Sequence, residues 1–96
     1  MRRLILFCVR DSKADAFLRP FSVETVGLAI RGFSDACNDP GHEFNKHSGD
    51  YSLWRIGEFD IETGVLAPEG PEIVGQAVSY KHDVDDEVPS VVRRVR

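Results

Sequence analysis

Long apolar runs are missing from this chain, and that absence comes first because it removes whole classes of protein. A helical membrane span needs roughly 18 apolar residues in a row, and nothing here approaches that length. The N-terminal run Leu4 to Val9 follows Arg2 and Arg3, as in a secretory signal. It is shorter than the about 7–15 apolar residues of such a signal, and it meets Arg10 and Asp11 at once. It reads instead as a buried strand of an intracellular protein. Cysteine is scarce, with Cys8 and Cys37 the only two. They read as a reduced, buried pair, and geometry decides whether they can bridge. The short paired spacings of zinc fingers are absent. Cys37, His42 and His47 have a C-x4-H-x4-H spacing that Cys8 could complete, but Cys37 belongs to an apolar helix stripe. Loop histidines on a solvated surface are the simpler reading. No metal and no cofactor is expected.

Positive charge is also in deficit. The net charge is −4, which argues against strong non-specific binding to phosphate backbones, since net electrostatics dominate that binding. The deficit is uneven. Residues 1–31 carry a balance of +3 and residues 32–80 one of −7. Residues 81–96 balance to zero, with acids at 83–87 and arginines at 93–96. A local basic face therefore stays open.

What is present is ordinary for a globular protein: 42% apolar and 29% charged residues. Ninety-six residues make one domain that buries roughly 60–65% of its unfolded surface. The expected division is a single domain over 1–80 and a charged, flexible tail over 81–96 whose role is unassigned.

Leu4 to Val9 reads as a central strand. Residues 14–21 carry Phe17, Leu18 and Phe21 around Pro20, and read as a loop tucking aromatic rings into the core. Ser22 is the expected N-cap of a helix, with Glu24 suiting its dipole. Val26, Ile30, Phe33 and Cys37 then form one helical stripe beside Ala29 and Ala36. Asn38-Asp39-Pro40-Gly41 stops it. Gly41 to Asp50 reads as a polar loop pinned by Phe44. Tyr51 to Phe59 alternates as a strand, with Trp54 and Ile56 on one face and Leu53 and Arg55 on the other. A turn at 60–64, with Gly64 at positive φ, leads to a returning strand at 65–67. Residues 68–71 break the chain again, and Ile73 to Tyr80 is a last strand with Gly75 as a bulge. The fold class is α+β in the order β-α-β-β-β. One amphipathic helix packs across one face of a small, mainly antiparallel sheet.

Candidate chemistry is sparse. Asp60 and Glu62, with Glu58 before them, could hold a divalent cation or exchange protons. Carboxylates that bracket a turn more commonly serve solubility and turn geometry. Ser12 and Ser34 lack the context of an activated nucleophile. No enzyme is expected. Arg10, Lys13, Arg19 and Arg31, together with Lys46 and Arg55, are candidate nucleic-acid contacts, and Trp54 or Tyr51 offers a stacking surface for unpaired bases. The competing reading puts Trp54 under the helix as core and scatters the arginines in solvent.

Three stretches carry a family resemblance: DSKADAFLRPF (11–21), AIRGFSDACNDP (29–40) and FNKHSGDYSLWRIGEFDIETGVL (44–66). They resemble the small non-structural protein of gokushovirus-type Microviridae, phages with single-stranded DNA. That family reads D-S-K-A near the start, A-x-R-x-F-x-D-A-x-N-D-P at a helix end, K-H-P-x-D-Y, and then I-G-x-F-D-x-x-T-G. Ser48 stands where the family usually has proline, and the tail is an extension. Asn38, Asp39, Pro40, Gly57 and Gly64 match recurring positions that read as turn chemistry. The resemblance implies a non-enzymatic accessory protein of the host cytoplasm, with no catalytic residues. It implies a DNA-binding role in the switch from duplex replication to single-stranded synthesis and packaging, with single-stranded DNA as a partner. The rival expectation is an adaptor that binds the viral replication initiator or the procapsid through its acidic surface and touches no DNA. A metal-assisted nuclease at Asp60 and Glu62 ranks far behind both. An uncovered edge strand could pair in a homodimer.

Overall fold

The apolar run at the N-terminus becomes β1 (Arg3–Asp11), the central strand of an antiparallel sheet. The computed structural model describes residues 2–82, so the expected tail lies outside the described residues from position 83 on. Two short strands, β2 (Ala16–Phe17) and β3 (Phe21–Val23), pair with one edge of β1, and β4 (Tyr51–Asp60) pairs with the other. β5 (Leu66–Gln76) adds outside β4, and every ladder is antiparallel. Between β3 and β4 the chain forms α1 (Val26–Cys37) and one turn of helix, α2 (Glu43–Lys46). A last helical turn, α3 (Ala77–Tyr80), follows β5. This is the expected α+β architecture, a helix laid on one face of a small antiparallel sheet.

The helical stripe does what its spacing predicts. Ala29, Phe33 and Cys37 of α1 are buried against Phe7, Val9 and Leu53 of the sheet, and Ala77 of α3 closes the cluster. Phe7 and Leu53 lose all solvent contact, each contributing about 1.5–3 kcal/mol through burial. Phe44 pins the 41–50 segment as expected, its ring 5.5 Å from Phe33 and 4.7 Å from Tyr51. Asn38 ends α1 and also clamps it. Its Nδ2 donates to the carbonyls of Ser34 and Tyr80, and its Oδ1 accepts from the His82 amide.

Local details differ from expectation for identifiable reasons. Ser22 is not the N-cap, because the β3 ladder holds it opposite Leu6. Thr25 takes that place, its Oγ1 accepting from the Leu28 amide at 3.1 Å, and Glu24 falls outside the helix. Residues 14–21 do not tuck their aromatic rings into the core. Phe17 stays 45% exposed and Phe21 37% exposed, although Phe21 stacks on Phe7. The two strands expected on either side of 68–71 are one strand, β5. It is an edge strand, where proline forfeits no ladder bond on its open side. The break is absorbed as an irregularity in which Ile56 alone opposes Glu69, Gly70 and Pro71, with the Gly70–Pro71 peptide cis. The last residues of the expected final strand, Ala77–Tyr80, coil into α3. The bulge near Gly75 falls at Val74, between the pairs Leu53–Gly75 and Trp54–Ile73.

Gly64 sits at φ 77° in the hairpin turn, as expected. Gly57 is different, for it lies within β4 at a bulge, with φ 155°. A Cβ there would stand 2.6 Å from the Ala67 carbonyl oxygen. Gly57→Ala is therefore expected to destabilise the fold by about 2–4 kcal/mol, combining backbone strain with a steric clash. A urea unfolding curve checks this, and an unchanged midpoint would refute the clash.

Candidate nucleic-acid interface

Strand alternation sorts the side chains of the sheet into two sets. On β1, Ile5, Phe7 and Val9 face α1, so Leu4, Leu6, Cys8 and Arg10 face the other way. Cross-strand register carries that division across the sheet. The far-face rows are Arg10–Ser52–Gln76, Cys8–Trp54–Ile73, Leu6–Gly57–Pro68 and Leu4–Phe59–Leu66. The helix-side rows include Arg3–Asp60, Ile5–Glu58, Phe7–Arg55–Glu72 and Asp11–Tyr51. Every strand carboxylate placed by these pairings is on the helix side, and the only charged residue in the far-face rows is Arg10.

The helix-side charges are mutually engaged. Glu58 bridges Arg3 at 2.8 Å and Arg55 at 2.7 Å, and Arg55 also reaches Glu69 at 3.2 Å. Asp60 accepts from the Glu62 and Thr63 amides in its turn. The Glu62 amide foremost, and Arg3 more weakly, hold its carboxyl below the usual range. This explains the acids around the hairpin as turn and ion-pair chemistry.

No described helix covers the far face. Phe17 of β2, paired with Arg10, meets Trp54 edge to face at 5.8 Å. Trp54 is half-buried and donates its Nε1–H to Ser52 Oγ at 2.8 Å. Ile73 and Leu66 are 45% and 57% exposed. In Trp54's row, Cys8 is buried. Cys37 is buried on the opposite side of the sheet, so the two thiols neither bridge nor share a ligand site.

The candidate contacts are thereby divided. Arg10 and Trp54 share the far face. Arg10 pairs with Asp15 of the following turn, an exposed acid. Lys13 and Arg19 are exposed in the connections on either side of β2. Arg31 and Lys46 belong to α1 and α2, in the helical layer, and Arg55 lies on the helix side between two carboxylates. The reading of Trp54 as core beneath the helix is overturned, because Leu53 occupies that position. Phe17 and Phe59 were not among the candidates. Their signal was the unbroken apolar run of β1, which requires apolar neighbours on both faces. Among the described residues, no helix is long and apolar enough to cross a membrane.

One protein family matches the chain, described as Phage ORF5 protein, over residues 4–80. No curated protein matches, and no solved structure matches.

The buried thiols give a pH signature. Burial pushes Cys37 from its ordinary 9.0 up to about 11, and raises Cys8 as well. The unfolded chain thus releases these protons before the folded one does. Their contribution to stability is complete below about pH 9 and is lost as pH rises through about 11. Urea midpoints are expected to fall across that window, less so in Cys37→Ala. In the native protein at pH about 8, thiol reagents are expected to label both cysteines slowly, because the reactive thiolate is suppressed. Fast labelling of both would refute it.

Proposed function

The chain belongs to the Phage ORF5 protein family, and from that premise we propose that it is a non-enzymatic phage accessory protein that binds DNA. It would act in the host cytoplasm during replication or packaging of a single-stranded DNA genome, as its resemblance to the gokushovirus-type protein suggests. One observation carries the DNA reading: the separation of charge across the sheet. Strand carboxylates fall on the helix side, and the far face carries apolar and aromatic side chains with Arg10. Lys13 and Arg19, exposed in the connections on either side of β2, would supply further cations at that edge. A polyanion seated on this side lies against positive charge at contact, despite the net negative charge. The Arg10–Asp15 pair is no obstacle, because exposed ion pairs contribute about 0–1 kcal/mol and exchange readily.

A second reading also has an observation in its favour. An apolar groove of about 290 Å³ between β3 and α1, lined by Phe21, Val23, Leu28 and Gly32 among others, suits an adaptor that holds a viral replication or capsid protein. The far face does not share that character, since no strand acid rims it.

A salt titration with a labelled single-stranded oligonucleotide tests the DNA reading. Binding is expected to weaken linearly in log–log form, and Arg10→Ala is expected to flatten the slope by about 0.7, one phosphate contact on a single strand. Arg31→Ala, in the helical layer, is expected to leave the slope unchanged. Absence of binding at about 20 mM salt, where electrostatic attraction is strongest, would overturn the proposal in favour of the adaptor.

A further inference from the structure

Taking the DNA-binding reading as its basis, we infer that the far face of the sheet holds unpaired bases by stacking, without reading their sequence, so that its ligand is a single strand. Three observations converge on this. First, the face offers aromatic rings at two separate places. Phe17 and Trp54 meet at one end. Phe59 lies at the other, in the row of Leu4, four residues along β1 from the row of Cys8 and Trp54, roughly 13 Å at strand rise. Rings spaced along a strand direction can seat separate bases of one extended strand.

Second, the face has almost nothing with which to read a base edge. Discrimination among bases requires free donors and acceptors. Ser52, whose hydroxyl lies in the end row between Arg10 and Gln76, is buried and accepts from Trp54. Between Arg10 and Gln76 at one end and Phe59 at the other, the rows of β1, β4 and β5 contain leucine, cysteine, tryptophan, glycine, proline and isoleucine, and the exposed Ser22 of β3, beside Leu6, adds one hydroxyl. Every base has a π-face, so stacking on such a surface tolerates any sequence.

Third, the cations are few. Arg10 is the only one in the far-face rows, with Lys13 and Arg19 adjacent in the chain. Three phosphate contacts on a single strand set a salt slope no steeper than about −2. A duplex hides its base faces and offers mainly phosphates, for which this face is poorly equipped. The complementarity is therefore to a ligand that brings exposed rings and modest negative charge together.

The test uses the whole 96-residue chain and fluorescence anisotropy with four probes of about thirty nucleotides, longer than one such face occupies. They are a thymidine homopolymer, a mixed-sequence strand, an abasic strand with the same number of phosphates, and a duplex. The homopolymer and the mixed strand are expected to bind within about threefold of each other, with Trp54 fluorescence quenched. The abasic strand is expected to bind at least about tenfold more weakly, because base–aromatic stacking is lost, and the duplex weaker than either base-bearing strand. Phe17→Leu and Phe59→Leu keep an apolar side chain but remove the ring. Each is expected to weaken the homopolymer about fivefold or more and to leave the abasic strand unaffected. An abasic strand that binds as tightly as the homopolymer, with a steep salt slope, would overturn the stacking inference while leaving DNA binding in place. Failure of every probe to bind would overturn both.

Discussion

β1 is the constraint on which the structure depends. Among the described residues it is the only strand bonded to three others, and it is apolar on both faces. A strand that is apolar on one face only would need a single cover, and α1 supplies it through Ala29, Phe33 and Cys37. The second apolar face is what distinguishes this chain. Its central thiol, Cys8, is buried, while the residues around it, from Phe17 to Leu66, remain in solvent to varying degrees. The division of the molecule into a stabilising side and a presenting side is a direct consequence of a period-two backbone carrying Leu, Ile, Leu, Phe, Cys and Val in succession.

Stability is accordingly concentrated under the helix. Asn38 joins the end of α1 to the end of α3 through two hydrogen bonds, to the Tyr80 carbonyl and from the His82 amide, and Tyr80 packs edge to face on Phe33 at 5.8 Å. Buried-side bonds of this kind matter mainly because an unsatisfied partner would cost about 1–3 kcal/mol. The β4–β5 hairpin beyond the helix has little such support. Its residues from Ile61 to Ile73 are exposed, and its order rests on the ladder to β4, the Asp60 turn and the Arg3–Glu58–Arg55–Glu69 ion pairs. The exposed outer pairs contribute little by themselves; linked through the half-buried Arg55–Glu58 pair, they also fix which face of the hairpin is acidic.

The parts legible in the sequence were those set by local periodicity. Val26 to Cys37 announces a helix and its buried side, and Leu53 and Arg55 were placed opposite Trp54 by alternation alone. What was not legible depends on partners distant in the chain. Ser22 is a good capping residue, but a ladder to Leu6 claims it, and nothing local forecasts that pairing. Pro68 to Pro71 reads as a break until β4 supplies a bulge at Ile56 and Gly57 to accommodate it. The candidate contact set suffered most. Arg31, Lys46 and Arg55 look equivalent to Arg10 as isolated cations, and only the three-dimensional arrangement assigns them to the other side of the molecule or to carboxylates. Phe59 is hard to single out because it sits among acids in EFDIE, where Glu58, Asp60 and Glu62 signal the turn that follows the strand more strongly than a face.

An acidic protein proposed to bind a polyanion poses an evident conflict, and the geometry bears on how it is resolved. Net charge acts at long range only where salt is low, because beyond a Debye length, about 8–10 Å at ordinary salt, exposed charges are largely screened; at contact, the local arrangement governs. Most of the excess acid lies in residues 32–80, and its strand members are directed to the helix side. The near field on the far face is therefore neutral to basic while the far field is acidic. Such a surface cannot gather DNA by long-range steering, and duplex non-specific binding, which depends on counterion release from many phosphates, would gain little from it. Short-range contact with exposed bases is less affected, because stacking requires desolvated rings more than charge. On the proposed reading the acidic surroundings would act as a filter: they would weaken the electrostatic binding that every nucleic acid shares and leave the stacking that only unpaired strands offer.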